Sequence, residues 1–115
     1  MAHTDRQIDY VELCAQDLAA VQKFYAAAFG WSFTSWGDDY CDFQGAGIGV
    51  GFRREEAPMS GGTLVVIYAA DLEALQQRIE AAGGAVSRPI FAFPGGRRYH
   101  FTDPCGNELG VWSEK

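Results

Sequence analysis

Residues 11–30 read VELCAQDLAAVQKFYAAAFG, and residues 65–84 read VVIYAADLEALQQRIEAAGG. At an offset of 54 residues Val11 falls on Val65, Asp17 on Asp71, Leu18 on Leu72 and Gly30 on Gly84. The identities are few, but the physics repeats. Each stretch opens with side chains that alternate between two faces. Val11 and Leu13 share one face, with Tyr10, Glu12 and Cys14 on the other. Val65 and Ile67 alternate in the same way with Leu64, Val66 and Tyr68. An Asp then stands at an N-cap position, and apolar residues come after it at helical spacing. In the first copy these are Leu18, Val21, Tyr25, Ala28 and Phe29, and in the second Leu72, Leu75, Ile79 and Ala82. Glycine ends both runs, at Gly30 and at Gly83–Gly84. A strand and then a helix, stated twice, is an internal repeat.

The segment after each helix completes the unit. Beyond Gly30 the chain reads WSFTSWGDDYCDFQGAGIGVGFRRE, which predicts strands over 31–36, 39–44 and 47–53 with glycine-containing turns between them. Glycines at 45, 47, 49 and 51 strip one face of the third strand. A bulge, a tight bend, or close approach by another chain, strand or ligand all remain open as the reason. The second copy predicts strands over 85–92, 97–102 and 108–113. The stretch EEAPMSGG, 55–62, lacks periodicity and reads as a connector. The expectation is one α+β domain of tandem βαβββ modules, over 8–54 and 63–113, forming a curved mixed sheet. In each module a helix covers the outer face, and the uncovered faces enclose a hollow. Periodicity leaves open whether the modules pair within one chain or across two. A surplus of aromatic residues beside an open sheet favours a homodimer.

Composition narrows the partners. The 115 residues carry a net charge of −6, with no basic stripe beyond the pairs Arg53–Arg54 and Arg97–Arg98, which argues against nucleic acid. The apolar runs are too short to cross a bilayer, and MAHTDRQIDY lacks the apolar segment of a signal peptide. Three cysteines, Cys14, Cys41 and Cys105, with no CxxC pair fit a reducing compartment, and the expected location is cytoplasmic.

DLAAVQKFYAAAFGW, the glycine pair at 83–84 and FTDPCGNELGVW together resemble the vicinal oxygen chelate superfamily. That superfamily includes glyoxalase I, bleomycin-resistance proteins and extradiol dioxygenases. The resemblance covers nearly the whole chain and implies paired βαβββ modules and often homodimers. It does not imply one reaction, since the superfamily holds lyases, isomerases, dioxygenases, epimerases and proteins that sequester a drug. The turn DPCGN, 103–107, is rich in turn formers and reads as structural, fixing the register of the last strand.

The resemblance also implies where a metal would be held, by His and Glu on the inner sheet faces. The corresponding positions here are Tyr10, Leu64 (beside Thr63 and Val65), Gly110, and a place in the last strand of the first module. Phe43 to Arg54 contains no Asp, Glu or His. No conventional metal site and no cofactor are therefore expected. The hollow is expected to be lined by Tyr10, Glu12, Cys14, Leu64, Val66, Tyr68, Glu108 and Trp112, a surface suited to a small organic molecule. Glu12 and His100 are the candidate proton-transfer groups, although the facing of His100 stays open. The first functional reading is a metal-free small-molecule binder. A lyase, isomerase or dioxygenase-type enzyme on a small carbonyl or vicinal-oxygen substrate is the alternative, and a non-catalytic accessory protein with a filled cavity is a third.

Overall fold

The computed structural model describes residues 3–6, 8–57 and 63–115, so the end of the expected connector, 58–62, lies outside the described residues. The first module runs β1 (Tyr10–Ala15), α1 (Leu18–Phe29), β2 (Ser32–Ser35), β3 (Tyr40–Gln44) and β4 (Gly49–Arg54). Its sheet has the order β1-β4-β3-β2, with β1 parallel to β4 and the other neighbours antiparallel. Asp17 caps α1 from an extended conformation, its carboxylate accepting the Ala20 N–H at 3.1 Å. Gly30 closes the helix in the left-handed region, φ +76°, and donates its N–H to the Ala26 carbonyl. An L side chain would be strained there, so glycine is needed.

The second module repeats the plan with β5 (Val65–Tyr68), α2 (Leu72–Ala81), β6 (Ala85–Phe93), β7 (Gly96–Thr102) and β8 (Glu108–Ser113), in the order β5-β8-β7-β6. Asp71 accepts from the Ala74 N–H at 3.0 Å, as Asp17 does from Ala20. The copies differ at the helix stop. Gly83, φ +107°, takes the left-handed turn, and Gly84 is left to packing. A Cβ on Gly84 would stand 2.7 Å from Ile79 Cγ2 and 2.9 Å from Phe24 Cε1, so a bare backbone lets α2 approach α1.

The two helices form a layer shared by both sheets. The Tyr25 ring of α1 packs on Phe43 and Phe52 of the first sheet, at centroid distances of 5.8 and 5.2 Å. Phe24 and Phe29, on the same helix, each lie 6.0 Å from Phe101 of β7. Val11, Leu13, Val50 and Phe52 from one sheet and Ile67, Leu109, Val111 and Tyr99 from the other thus face one apolar core. The uncovered faces point outward, away from each other. The pairing question left open by the periodicity has this answer within the chain: the modules meet through their helix-covered sides.

The DPCGN turn locks that arrangement. The Asp103 carboxylate, 4% exposed, accepts the N–H groups of Cys105 (2.9 Å) and Asn107 (3.0 Å), the Asn107 amide (2.9 Å) and the Tyr25 hydroxyl (3.1 Å). The Asn107 amide also donates to the Cys14 carbonyl of β1 at 2.6 Å. One turn of the second module therefore grips both the helix and the first strand of the first module. Burial pushes the Asp103 carboxyl above its ordinary range, and the donors around it pull it back.

Candidate functional site

The first open face is built across three strands. Register sets Tyr10 beside Gly49, Glu12 beside Gly51, and Asp42 on the other side of Gly51. The bare glycines are explained by what lies over them. A Cβ on Gly51 would meet the Tyr10 hydroxyl at 1.9 Å and the Tyr40 hydroxyl at 2.2 Å, and one on Gly49 would meet the Tyr10 ring at 2.4 Å. The two phenols hydrogen-bond each other at 2.5 Å above this strip. Burial, then the Tyr10 hydroxyl and Glu12, raise the Tyr40 pKa, which keeps Tyr40 a proton donor. Glu12 is paired with Arg53 at 2.8 Å, and Arg53 also binds Glu55 at 3.1 Å. Asp42, absent from the sequence-derived set, has a buried Oδ1 with no hydrogen-bond partner. Only its strand register could have brought it forward. Cys14 lies at the far end of the face, 3% exposed, with its carbonyl taken by Asn107.

The second open face is lined by Leu64, just before β5, by Val66 and Tyr68 of β5, and by Glu108, Gly110 and Trp112 along β8. His100 and Arg98 of β7 lie across from Gly110 and Trp112. His100 therefore faces the open side, which parity could not settle. Arg98 Nη2 stands 2.8 Å from His100 Nε2. A guanidinium only donates, so Nε2 is the acceptor, and the ring's proton sits on Nδ1, directed at Glu108 Oε2 3.4 Å away. Ser87 Oγ donates to the same Glu108 oxygen at 2.9 Å. Tyr68 lies edge-on to Trp112 at 5.1 Å and directs its hydroxyl to Glu114 at 2.6 Å. The segment 91–98 turns through Pro94–Gly95 and continues the β6–β7 ladder, so it forms no separate flap.

The sequence profile of the Glyoxalase/Bleomycin resistance protein/Dioxygenase superfamily matches residues 7–111. The chain belongs to this superfamily. A curated relative, an anthracycline biosynthesis protein, DnrV, of Streptomyces peucetius, is 30% identical over 124 residues, covering 90% of this chain and 45% of that protein. The chain thus spans about half the length of that relative. Among solved structures, a glyoxalase-related enzyme from Fulvimarina pelagi is 23% identical with a TM-score of 0.79, covering 94% of this chain and 88% of its own. A family enzyme from Burkholderia phytofirmans PsJN is 17% identical with a TM-score of 0.80, covering 93% and 98%. At these identities the structures share the fold and nothing more is taken from them.

Register makes the superfamily's metal positions concrete. Val11 pairs with Val50 and Val65 with Leu109, so Gly51 is the counterpart of Gly110, as Tyr10 is of Leu64. The four places hold a phenol, an isobutyl group and two glycines. A divalent ion needs several imidazole, carboxylate or thiolate donors converging on one point. No group of three or more His, Cys, Asp or Glu side chains does so among the described residues. The residues present do not fit the family's ion. The chain is a small-molecule-binding member of the superfamily, with no evident metal-binding cluster among the described residues. At the place of the last ligand Gly110 is buried, and a Cβ there would be in ordinary contact with His100, Val66 and Leu64 at 3.4–3.6 Å.

A cleft of about 630 Å³ reaches the edge of the second open face, where Val66 and Tyr68 help to line it. It opens between the modules on the helix side, lined by Trp31, Ile48, Val50, Val65, Leu75 and Arg78 among others. Tyr10, Tyr40, Glu12, Arg98, His100 and Glu108 stand on the open faces outside this cleft, while Tyr68 borders both. No helix among the described residues is long and apolar enough to cross a membrane.

Proposed function

We propose that the protein holds a planar, ring-containing organic molecule in a cavity completed by a second copy of itself, with no divalent ion gripping the ligand. One observation carries this reading. Both open faces present rings and aliphatic groups with a few hydrogen-bonding points, while the four metal positions hold no imidazole, carboxylate or thiolate. Tyr10 is 41% exposed, Val66 42% and Tyr68 48%, and β1 and β5 are sheet edges beside them. Unpaired edges flanked by exposed apolar side chains favour strand-to-strand association. Setting the first face of one copy against the second face of another would enclose a cavity between them.

Binding accounts for the polar groups better than catalysis does. Glu12 is held by Arg53, and the free lone pair of His100 is occupied by Arg98. Neither candidate base is available without first breaking a contact. The phenol pair can donate to a carbonyl or quinone oxygen of a bound ligand. The likeness to an anthracycline biosynthesis protein supports the same ligand class, since anthracyclines are planar fused-ring quinones. Three free, buried thiols support a cytoplasmic setting.

A thermal-shift and calorimetric screen of fused-ring quinones tests this. The expected result is saturable binding at one ligand per chain, unchanged by prior treatment with EDTA. At a hundredfold excess over Kd the stabilisation should be about 2.7 kcal/mol. If binding appears only after a divalent ion is added, the metal-free reading is wrong.

A further inference from the structure

We propose that Arg88 and Arg98, meeting on the ring of Phe91, form a subsite for the delocalised oxyanion of the ligand, a carboxylate or an ionised phenol or enol. This rests on the reading of the second open face as ligand-binding, and it adds the charge of the ligand.

The first observation concerns charge. The chain has 15 acidic residues against 9 Lys and Arg, so a cation has no shortage of carboxylates. Arg53 takes Glu12, Arg54 takes Asp39 and Arg97 takes Glu73, all within 4 Å. Arg78 is directed instead to the Ala27 carbonyl. Among the described residues Arg88 and Arg98 have no carboxylate within that range. Glu108, on the same face, is turned to Ser87 and His100. In an acidic protein, two arginines left unpaired at one spot mark a local positive field.

The second observation is geometric. The guanidinium carbon of Arg88 lies 3.8 Å from the Phe91 ring centroid, and that of Arg98 lies 5.6 Å from the same centroid. Residues 88 and 91 are three apart, and in a regular strand they would face opposite sides. Register shifts between Val86 and Arg88 and between Arg88 and Phe91 remove that alternation: Arg88 pairs with His100 and Phe91 with Arg98. The irregular strand thus gathers both arginines and the ring on the open face. Bringing like charges together is unfavourable unless something negative joins them.

The third observation is an orphaned donor. Arg98 gives Nη2 to His100, while its Nε is buried with no acceptor. A buried N–H without a partner is costly, and an oxyanion is the acceptor that relieves both its charge and its hydrogen bond. Ring faces on Phe91, 6.1 Å from His100, suit a planar group attached to that anion.

The test uses four probes of similar shape on the intact protein: 2-naphthoate, 2-naphthamide, 2-naphthamidine and 2-hydroxy-1,4-naphthoquinone, which is ionised at neutral pH. Calorimetry should show 2-naphthoate binding at least about tenfold more tightly than the isosteric amide, and the amidine weakest. Comparing naphthoate with the hydroxyquinone separates a carboxylate site from an enolate site. Arg98→Met and Arg88→Met should each lower the anion's affinity about tenfold or more and leave the amide's nearly unchanged. Arg98→Lys, which keeps the charge but loses Nε, should fall between wild type and Arg98→Met. Arg97→Met, which removes an equal charge from the helix side, should change affinity less than about threefold. Equal binding of anion and amide, or an Arg97→Met loss as large as that of Arg98→Met, would overturn the subsite while leaving the binding reading intact. Failure of all four probes together with the quinone screen would overturn both.

Discussion

Gly51 and Gly110 are equivalent positions in the repeat, yet they lack side chains for different reasons. Gly51 lies beneath the hydroxyls of Tyr10 and Tyr40, where a methyl group would sit at about half the distance a van der Waals contact needs. At Gly110 a Cβ meets its neighbours at 3.4 Å or more. Gly51→Ala should therefore force the phenols apart and cost about 1–3 kcal/mol in urea unfolding. Gly110→Ala should stay within about 0.5 kcal/mol of wild type. Equal costs at the two sites would mean that the tyrosine pair does not rest on Gly51. Asp103 is the other residue whose chemistry is concentrated. It is the acceptor for three N–H groups and a hydroxyl in a buried place, so Asp103→Ala strands four donors at once. A loss on the order of 3–5 kcal/mol is expected. The loss should be accompanied by faster amide exchange in both modules, because Tyr25 and Asn107 reach from one to the other.

At the scale of the elements, α2 is tied to β7 by Glu73 and Arg97, with Nη1 to Oε2 at 2.7 Å and Nη2 to Oε1 at 3.1 Å. Hydrogen bonding to Arg97 holds the Glu73 carboxyl below its ordinary pKa. A depressed folded-state pKa stabilises above the unfolded value and stops doing so as pH falls through the folded one. Glu73→Gln should thus be less stable than wild type near pH 7, and the two should converge below about pH 4. Thermal melts across that range check it, and a gap that persists in acid would assign the link to packing instead of charge. This pair also shows what a sequence can convey. The capping aspartates, the alternation of Val11 and Leu13 and the stop at Gly30 are local signals, and local signals placed every helix and strand to within a few residues. The Arg97–Arg98 pair looked like one feature, but strand parity sends its members to opposite faces, one to Glu73 and one to His100. Arg88 was hidden because its facing depends on a register shift: Pro89 in SRPIF signals an edge strand or a bulge but does not say which side chains change face. The tyrosine pair was half legible: Tyr10 faced the open side by alternation, but its meeting with Tyr40 over Gly51 required the pairing of three strands.

At the scale of the molecule, a repeat shows that two units are alike and leaves open which sides meet. The structure joins them through their helices, a choice made by the aromatic rings of α1, which reach both sheets, and by the grip of Asp103 and Asn107. The consequence is two outward faces, with β1 and β5 as sheet edges and Ile8 81% exposed beside the first of them. Edges of this kind are normally covered or blunted by charge. Here the exposed side chains flanking them include Ile8, Tyr10, Val66 and Tyr68, so cover by a second copy is the economical solution. Sedimentation should give a species of twice the 12.6 kDa chain mass at micromolar concentration. The melting temperature should rise with protein concentration, as it does when association stabilises the folded state. Val66→Lys puts a strongly hydrated charge on the β5 edge without touching the core, because Val66 is on the open face. It should shift the protein to monomer, abolish the concentration dependence of melting and weaken ligand binding in the same preparation. A wild type that sediments as a monomer and still binds with full affinity would show instead that one open face suffices, and that the second copy plays no part in the site.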